Sequence, residues 1–347
     1  MSRLLTVLLV FLSGCLEVPG SVEDFSSSTP KELTDEAILC GLDSLDEDTF
    51  CMPGETFERW LREGELSILD GKVTSSGASG AMKVLVELKH PDAPEDLVFH
   101  MKWKPAAGAW NGLNNSPRKE IAAYQLQKMY LDQQDWPVPP TVMRCLPIQP
   151  GHTVEKRAGE KDIDCAWGLA SYWLSHIDTP GMVDWERVDN DEEYKRAITT
   201  LNLYMYLIGH RDAHYYNWLL TTGNGPLRGI SIDNGISFSG FNNFTKKKED
   251  WKGLMSPAYP KNVVDRLREV SDADLAELHV VGRWNVVGRD FQRDGDGGLE
   301  LPARKPWFYR RKQGLYMHGL RQGELRTIRR KIRKLLRKVD SGKIPTF

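Results

Sequence analysis

The feature that most constrains this chain is a pair of acidic loops close together in sequence. Gly209-His210-Arg211-Asp212-Ala213-His214-Tyr215-Tyr216-Asn217 is followed by the apolar Trp218-Leu219-Leu220, a Gly/Asn/Pro turn, and Ile230-Ser231-Ile232-Asp233-Asn234-Gly235. Asp212 and Asn217 lie five positions apart, and Asp233 follows a second short apolar run with a glycine two residues later. A short strand and a turn separate the first loop from the second apolar run, which delivers Asp233. A carboxylate that accepts a proton, beside an amide and a second carboxylate that bind a hard cation, is a donor set suited to metal–phosphate chemistry. Either loop by itself is equally an ordinary polar turn, so the reading depends on what the upstream sequence adds.

With 347 residues the chain is long enough for two cores around a cleft. Its 40% hydrophobic content and eleven tryptophans indicate packed globular structure. A formal net charge of -2 gives no bulk attraction to nucleic acid or to an anionic membrane. The charge is uneven, since residues 304–338 hold many Lys and Arg against the single acid Glu324.

Upstream, residues 65–88 read as strand, glycine-containing loop, strand, with Gly77, Ser79 and Gly80 small enough for backbone amides to approach phosphate oxygens. In the next strand, residues 97–104, Lys102 and Lys104 share a face, and the sequence does not separate them as the phosphate-contacting lysine. Ser116 as N-cap and Pro117 as first helical residue start a helix that places Glu120 in its opening turn and turns Ile121, Tyr124 and Met129 inward. Short capping helices are expected within residues 35–63, a strand at 141–145, a strand and crossover over 165–174, and a buried helix over 192–208. From Glu324 to Val339, Leu325, Ile328, Ile332, Leu335 and Val339 line one helical face with basic residues opposite.

The order of parts, Gly-containing loop, strand Lys, helix Glu, then Asp and Asn in one loop and a final Asp, resembles a protein-kinase-like fold. Lys104-Pro105, Glu120-Ile121-Ala122-Ala123-Tyr124, Val138-Pro139-Pro140, Gly209-x-x-Asp212-x-His214-x-Tyr216 and Asp233-Asn234-Gly235 are similar to the secreted Golgi casein-kinase family and its bacterial relatives, and more distantly to phosphatidylinositol kinases. The similarity covers roughly residues 65–240. It implies an α+β, two-lobed fold with a β-rich N-lobe over 65–150 and a helical C-lobe over 151–347. It also implies transfer of the ATP γ-phosphoryl group, with Mg²⁺ or Mn²⁺, to a hydroxyl of a protein, sugar or lipid.

Carried over by position, Asp212 is the catalytic acid/base, Asn217 and Asp233 the metal ligands, Lys104 or Lys102 the phosphate lysine and Glu120 its partner. Asn217 departs from the Golgi family, which often has an acid at that position. Asn234 stands where ordinary kinases have Phe, which argues against activation-loop control. A non-catalytic, partner-binding lipoprotein on the same fold and a nucleotidyl transferase are the alternative functions.

Arg3, the apolar run Leu4–Leu12 and Leu12-Ser13-Gly14-Cys15 resemble a bacterial lipoprotein signal peptide. The resemblance implies loss of residues 1–14, lipidation of Cys15, a tether over 15–34 and a capping segment over 35–64. With Leu16 in place of Asp, it points to an outer-membrane or surface lipoprotein, with simple secretion as the alternative. The remaining Cys40, Cys51, Cys145 and Cys165 suit two disulfides in an oxidising compartment, and sequence proximity favours Cys40–Cys51 and Cys145–Cys165. The expected partners are nucleotide, an unknown hydroxyl acceptor and a membrane through the anchor, with no nucleic acid and a monomeric chain.

Overall fold

The computed structural model describes residues 39–42, 48–52, 54–73, 81–93, 97–105, 117–147, 165–213, 217–222, 226–238, 253–287, 290–292, 308–311 and 314–347. The glycine loop with Gly77, Ser79 and Gly80, the lipobox Cys15, the tether and His214 lie outside these residues.

The fold is α+β. A hairpin of β1 (Leu39–Leu42) and β2 (Asp48–Met52) precedes α1 (Gly54–Glu63). The capping segment is thus one hairpin and one helix, where only short helices were expected. Threonine and aromatic content in Asp-Thr-Phe-Cys-Met favours extended backbone there, and helix begins only after Pro53. Cys40 and Cys51 are Cα partners across the hairpin, whereas Cys145 pairs with Trp167 and Cys165 with Pro147.

Five strands form one antiparallel sheet: β3 (Glu65–Val73), β4 (Met82–Lys89), β5 (Leu97–Pro105), β6 (Thr141–Pro147) and β7 (Cys165–Tyr172), in the order β3-β4-β5-β7-β6. β7, which follows residue 150, lies between β5 and β6 in this sheet.

Strand alternation sorts the two faces. Met82, Val84, Val86 and Leu88 of β4 and Phe99, Met101 and Trp103 of β5 are buried with Phe57, Trp60 and Leu61 of α1 in one core. Lys102 and Lys104 therefore leave the opposite face together.

A second core is mostly helical. It unites α2 (Pro117–Gln127), α4 (Glu192–Ile208), α5 (Lys261–Glu269), α6 (Asp272–Glu277) and α7 (Gln322–Asp340). The short α3 (Trp185–Asn190) leads into α4. Two small sheets complete the chain. One is β8 (Ile177–Asp178), β9 (Trp218–Thr221) and β10 (Gly229–Ser231); the other is β11 (Val280–Val287), β12 (Asp290–Gln292), β13 (Phe308–Arg311) and β14 (Gly314–His318). Among the described residues no helix is long and apolar enough to cross a membrane.

Helix α2 is buried nearly all round, and Met129 falls just past its end, so the one-sided pattern read from its sequence was too simple. Glu58 of α1, only 2% exposed, fixes this helix: it accepts from Tyr124 Oη (2.9 Å), Lys128 Nζ (2.7 Å) and Arg62 Nη1 (2.6 Å). Burial alone would raise its carboxyl pKa, but the two cations and these bonds hold it below the usual range.

At the other end of the core, β10 lies against α4 at a glycine. A Cβ at Gly229 would stand 2.8 Å from Leu201 Cβ and Cδ2 and 3.0 Å from the Ala197 carbonyl. Gly229→Ala is therefore expected to cost about 1–3 kcal/mol in urea unfolding, by forcing strand and helix apart just before the Asp233 loop.

Candidate functional site

Helix α4 delivers the first acidic loop. Asp191 caps its start by accepting from Glu193 N and Tyr194 N, and Gly209, at φ 58°, turns the chain out of its end. Lys331 of α7 donates to the terminal carbonyls of Tyr206 (2.6 Å) and Leu207 (3.3 Å), where a cation complements the helix dipole.

Next comes His210, which is fully buried. The backbone amide of Asp212 donates to its Nδ1 (3.2 Å), so the proton sits on Nε2, which donates to the Ile232 carbonyl (2.9 Å). One imidazole thus links the residues carrying Asp212 and Asp233. Two more bonds close the joint, Ile232 N to the Asn217 carbonyl (3.1 Å) and Phe238 N to the Ile208 carbonyl (2.7 Å). The Asn217 amide nitrogen donates to the Asp212 carboxylate (3.0 Å) and to the Asp212 carbonyl (2.7 Å). That commits the nitrogen and turns Oδ1 to the other side.

Asp233 itself adopts the left-handed conformation, φ 53° and ψ 48°, uncommon for a residue with a side chain. Ser231 Oγ donates to Asn234 Oδ1 (2.8 Å) and holds the loop in this shape from behind. Ser231 N donates to the Pro137 carbonyl (2.7 Å), which ties the loop to the segment following α2.

The upstream residues converge on the same place. Lys104, 4% exposed, donates to Glu120 (2.8 Å). Lys102 donates to Asp233 (2.5 Å) and stands 3.8 Å from Glu120. The result is an alternating charge chain, Lys104–Glu120–Lys102–Asp233, that joins the sheet, α2 and the second acidic loop. Burial opposes the charge on Lys102, yet Glu120 and Asp233 raise its pKa. Burial likewise works against the Asp233 carboxylate, but Lys102 and then Lys104 hold its pKa below the usual range.

The structure thus brings Lys102, Lys104, Glu120 and Asp233 into one chain of ion pairs and hydrogen-bonds Asn217 directly to Asp212, with the His210 imidazole joining the Asp212 loop to Ile232. The two lysines left open by the sequence are now distinct: Lys104 is buried on Glu120, and Lys102 reaches the acidic loop. Sequence reasoning did not find the linking role of His210, the brace of Ser231 on Asn234 or the Lys331 cap. For His210 a signal existed, a histidine two residues past the apolar last turns of a helix, residues 203–208, where burial demands a polar partner.

Among the described residues no group of three or more His, Cys, Asp or Glu could hold a metal ion. The donors brought together here are instead an amide and a carboxylate, an oxygen set that suits a hard cation sharing phosphate oxygens and water. Asp233 retains 46% side-chain exposure, so its carboxylate is reachable from solvent. Compared with known proteins, the chain matches no protein-family model and no curated protein.

Burial lowers the pKa of His210, and the Ile232 bond and the nearby acids offset this only in part. The sign follows by linkage. The unfolded chain binds a proton below about pH 6.5 and the native site resists it, so stability is fully present above that pH and falls as pH drops. In His210→Gln, whose amide can both donate to Ile232 and accept from Asp212, the dependence of the urea midpoint on pH between 7 and 5.5 should flatten, by up to about 1.4 kcal/mol per pH unit. An unchanged slope would mean that His210 takes up its proton equally in the native and unfolded states.

Proposed function

We propose that the chain is a two-lobed, kinase-like phosphotransferase that moves the γ-phosphoryl group of ATP to a hydroxyl. The observation that carries this reading is the charge chain from Lys104 to Asp233, standing beside a loop in which Asp212 and Asn217 are hydrogen-bonded. Residues scattered over 131 positions of sequence meet there in complementary roles.

In this reading Asp212 accepts the proton of the attacking hydroxyl, and its bond from Asn217 keeps the carboxylate oriented. Asn217 Oδ1 and Asp233 would hold Mg²⁺ or Mn²⁺, which supplies neutralisation of phosphate charge when bound. Lys104 fixes Glu120, and Glu120 positions Lys102. Lys102, 18% exposed and touching both acids, is the lysine placed to turn to phosphate oxygens when Asp233 takes a metal. The left-handed backbone at Asp233 is the kind of local strain that persists where the surroundings hold a functional side chain in place.

The signal-like residues 1–14 and Cys15 support a lipid-anchored protein facing the periplasm or the exterior, which makes the source of nucleotide part of the question. The acceptor-independent test is turnover of γ-labelled ATP by the full chain with Mn²⁺, with mass analysis of any modified product. Asp212→Asn and Lys102→Met should each lower turnover by about 10²–10⁴-fold, the usual range for a lost acid/base or charge-stabilising group. Lys104→Met should instead act mainly on stability, by about 3–5 kcal/mol, because it leaves Glu120 buried with a weakened partner set. Transfer of AMP in place of the phosphoryl group would contradict the proposal, as would wild-type turnover in Asp212→Asn.

A further inference from the structure

Helix α7 carries eight cations and two acids. Its apolar side is spent in the core, where Leu325, Ile328, Ile332 and Leu335 are buried. Both acids are already committed. Arg118 grips Glu324 through two bonds of 2.9 and 3.1 Å, and Arg268 donates to Asp340 at 2.8 Å. Two of the cations are engaged as well, Arg329 in an ion pair with Asp272 and Lys331 on the carbonyls that end α4.

What is left is a stripe. Arg326, Arg330, Arg333 and Arg337 follow one another at intervals of four, three and four residues, which lines them up on one helical face about 16 Å long. Lys334 stands beside them, one turn after Arg330. All five are exposed, and none has an ion pair among the described residues; Arg337 Nε donates only to the Arg333 carbonyl of its own helix (3.3 Å). Like charges three and four residues apart on a helix destabilise one another. An anionic surface laid over the stripe removes that cost.

The chemistry of the face separates the kinds of surface that could cover it. A protein interface is built around aromatic or apolar anchors that become buried. The large apolar residues exposed among the described residues, Leu69, Ile177, Met182, Trp185 and Phe347, all lie outside α7. Long, flexible cationic side chains with no anchor among them fit a surface that is extended, fluid and negative.

We propose that the basic stripe of α7 docks on an anionic lipid bilayer. A chain anchored through Cys15, as the resemblance of its first residues implies, meets that surface at high local concentration, so a few weak electrostatic contacts suffice to orient it. Lys331 of the same helix holds the end of α4, a few residues before Asp212, so docking also fixes how the Asp212 loop stands to the bilayer. The contact itself does not depend on phosphoryl transfer.

The test is co-sedimentation of the full chain with vesicles of phosphatidylcholine alone or with phosphatidylglycerol added. Binding to the neutral vesicles reports the N-terminal apolar run. The wild type is expected to bind the anionic vesicles about tenfold or more tighter than the neutral ones, and to lose the difference at high salt. Arg330→Gln/Arg333→Gln/Arg337→Gln should remove most of that preference, at about fivefold per residue, with Tm unchanged to within about 2 °C because no partner is lost. Arg59→Gln/Lys89→Gln/Lys261→Gln, which takes the same charge from other exposed positions, should keep it. No preference for anionic vesicles in the wild type, or an equal preference in the stripe variant, overturns the docking surface. So does an equal loss in the second variant, which would assign binding to net charge. Tighter binding to a DNA duplex than to anionic vesicles at the same salt, lost with the stripe, overturns the bilayer as its occupant.

Discussion

The alternating charges of Lys104, Glu120, Lys102 and Asp233 are the joint on which the arrangement depends. Removing water from four charged groups is costly, and apolar residues of similar size would often be as stable or more so. The chain of ion pairs is therefore explained by the positions it fixes. The members come from three parts of the chain, the two lysines from the same face of β5, Glu120 from α2, and Asp233 from the turn after β10. Truncating any one of them leaves the next charge without its partner, so the four sites should couple strongly in stability and in function.

Behind this joint stands a neutral support. His210 carries no charge into the interior, yet satisfies one backbone acceptor and one backbone donor in neighbouring loops. Ser231 and Asn234 do the same for the turn that holds Asp233 in its left-handed conformation. A hydrogen-bonded base beneath the half-exposed Asp233 carboxylate holds that charge at the surface without collapse of the loops.

The face shared by Lys102 and Lys104 was legible from strand alternation, because a period of two leaves no freedom once the neighbours are apolar. The helices at 192–208 and 324–339 were legible for the same kind of reason, a long apolar period with caps or charges at the right places. The distinction between the two lysines was not, since it depends on how far α2 and the Asp233 loop lie from one pleat or the next. The hairpin before α1 was missed because its strands, Leu39–Leu42 and Asp48–Met52, are too short to show a clear alternation. Helix α2 was read as one-sided, although packing against α1 on one flank and the helical core on the other buries it almost wholly.

The central claim is that Asp233 and its neighbours form a working nucleotide–metal site. The most direct measurement is thermal unfolding of the chain lacking residues 1–15, with and without ATP plus Mn²⁺, for the wild type and for Asp233→Ala. Binding to the native state alone should stabilise the wild type by about 2.7 kcal/mol at a hundredfold excess over Kd. The account predicts a rise in Tm that requires both nucleotide and metal and is absent in Asp233→Ala. No rise at saturating nucleotide, or the same rise in the variant, would contradict it.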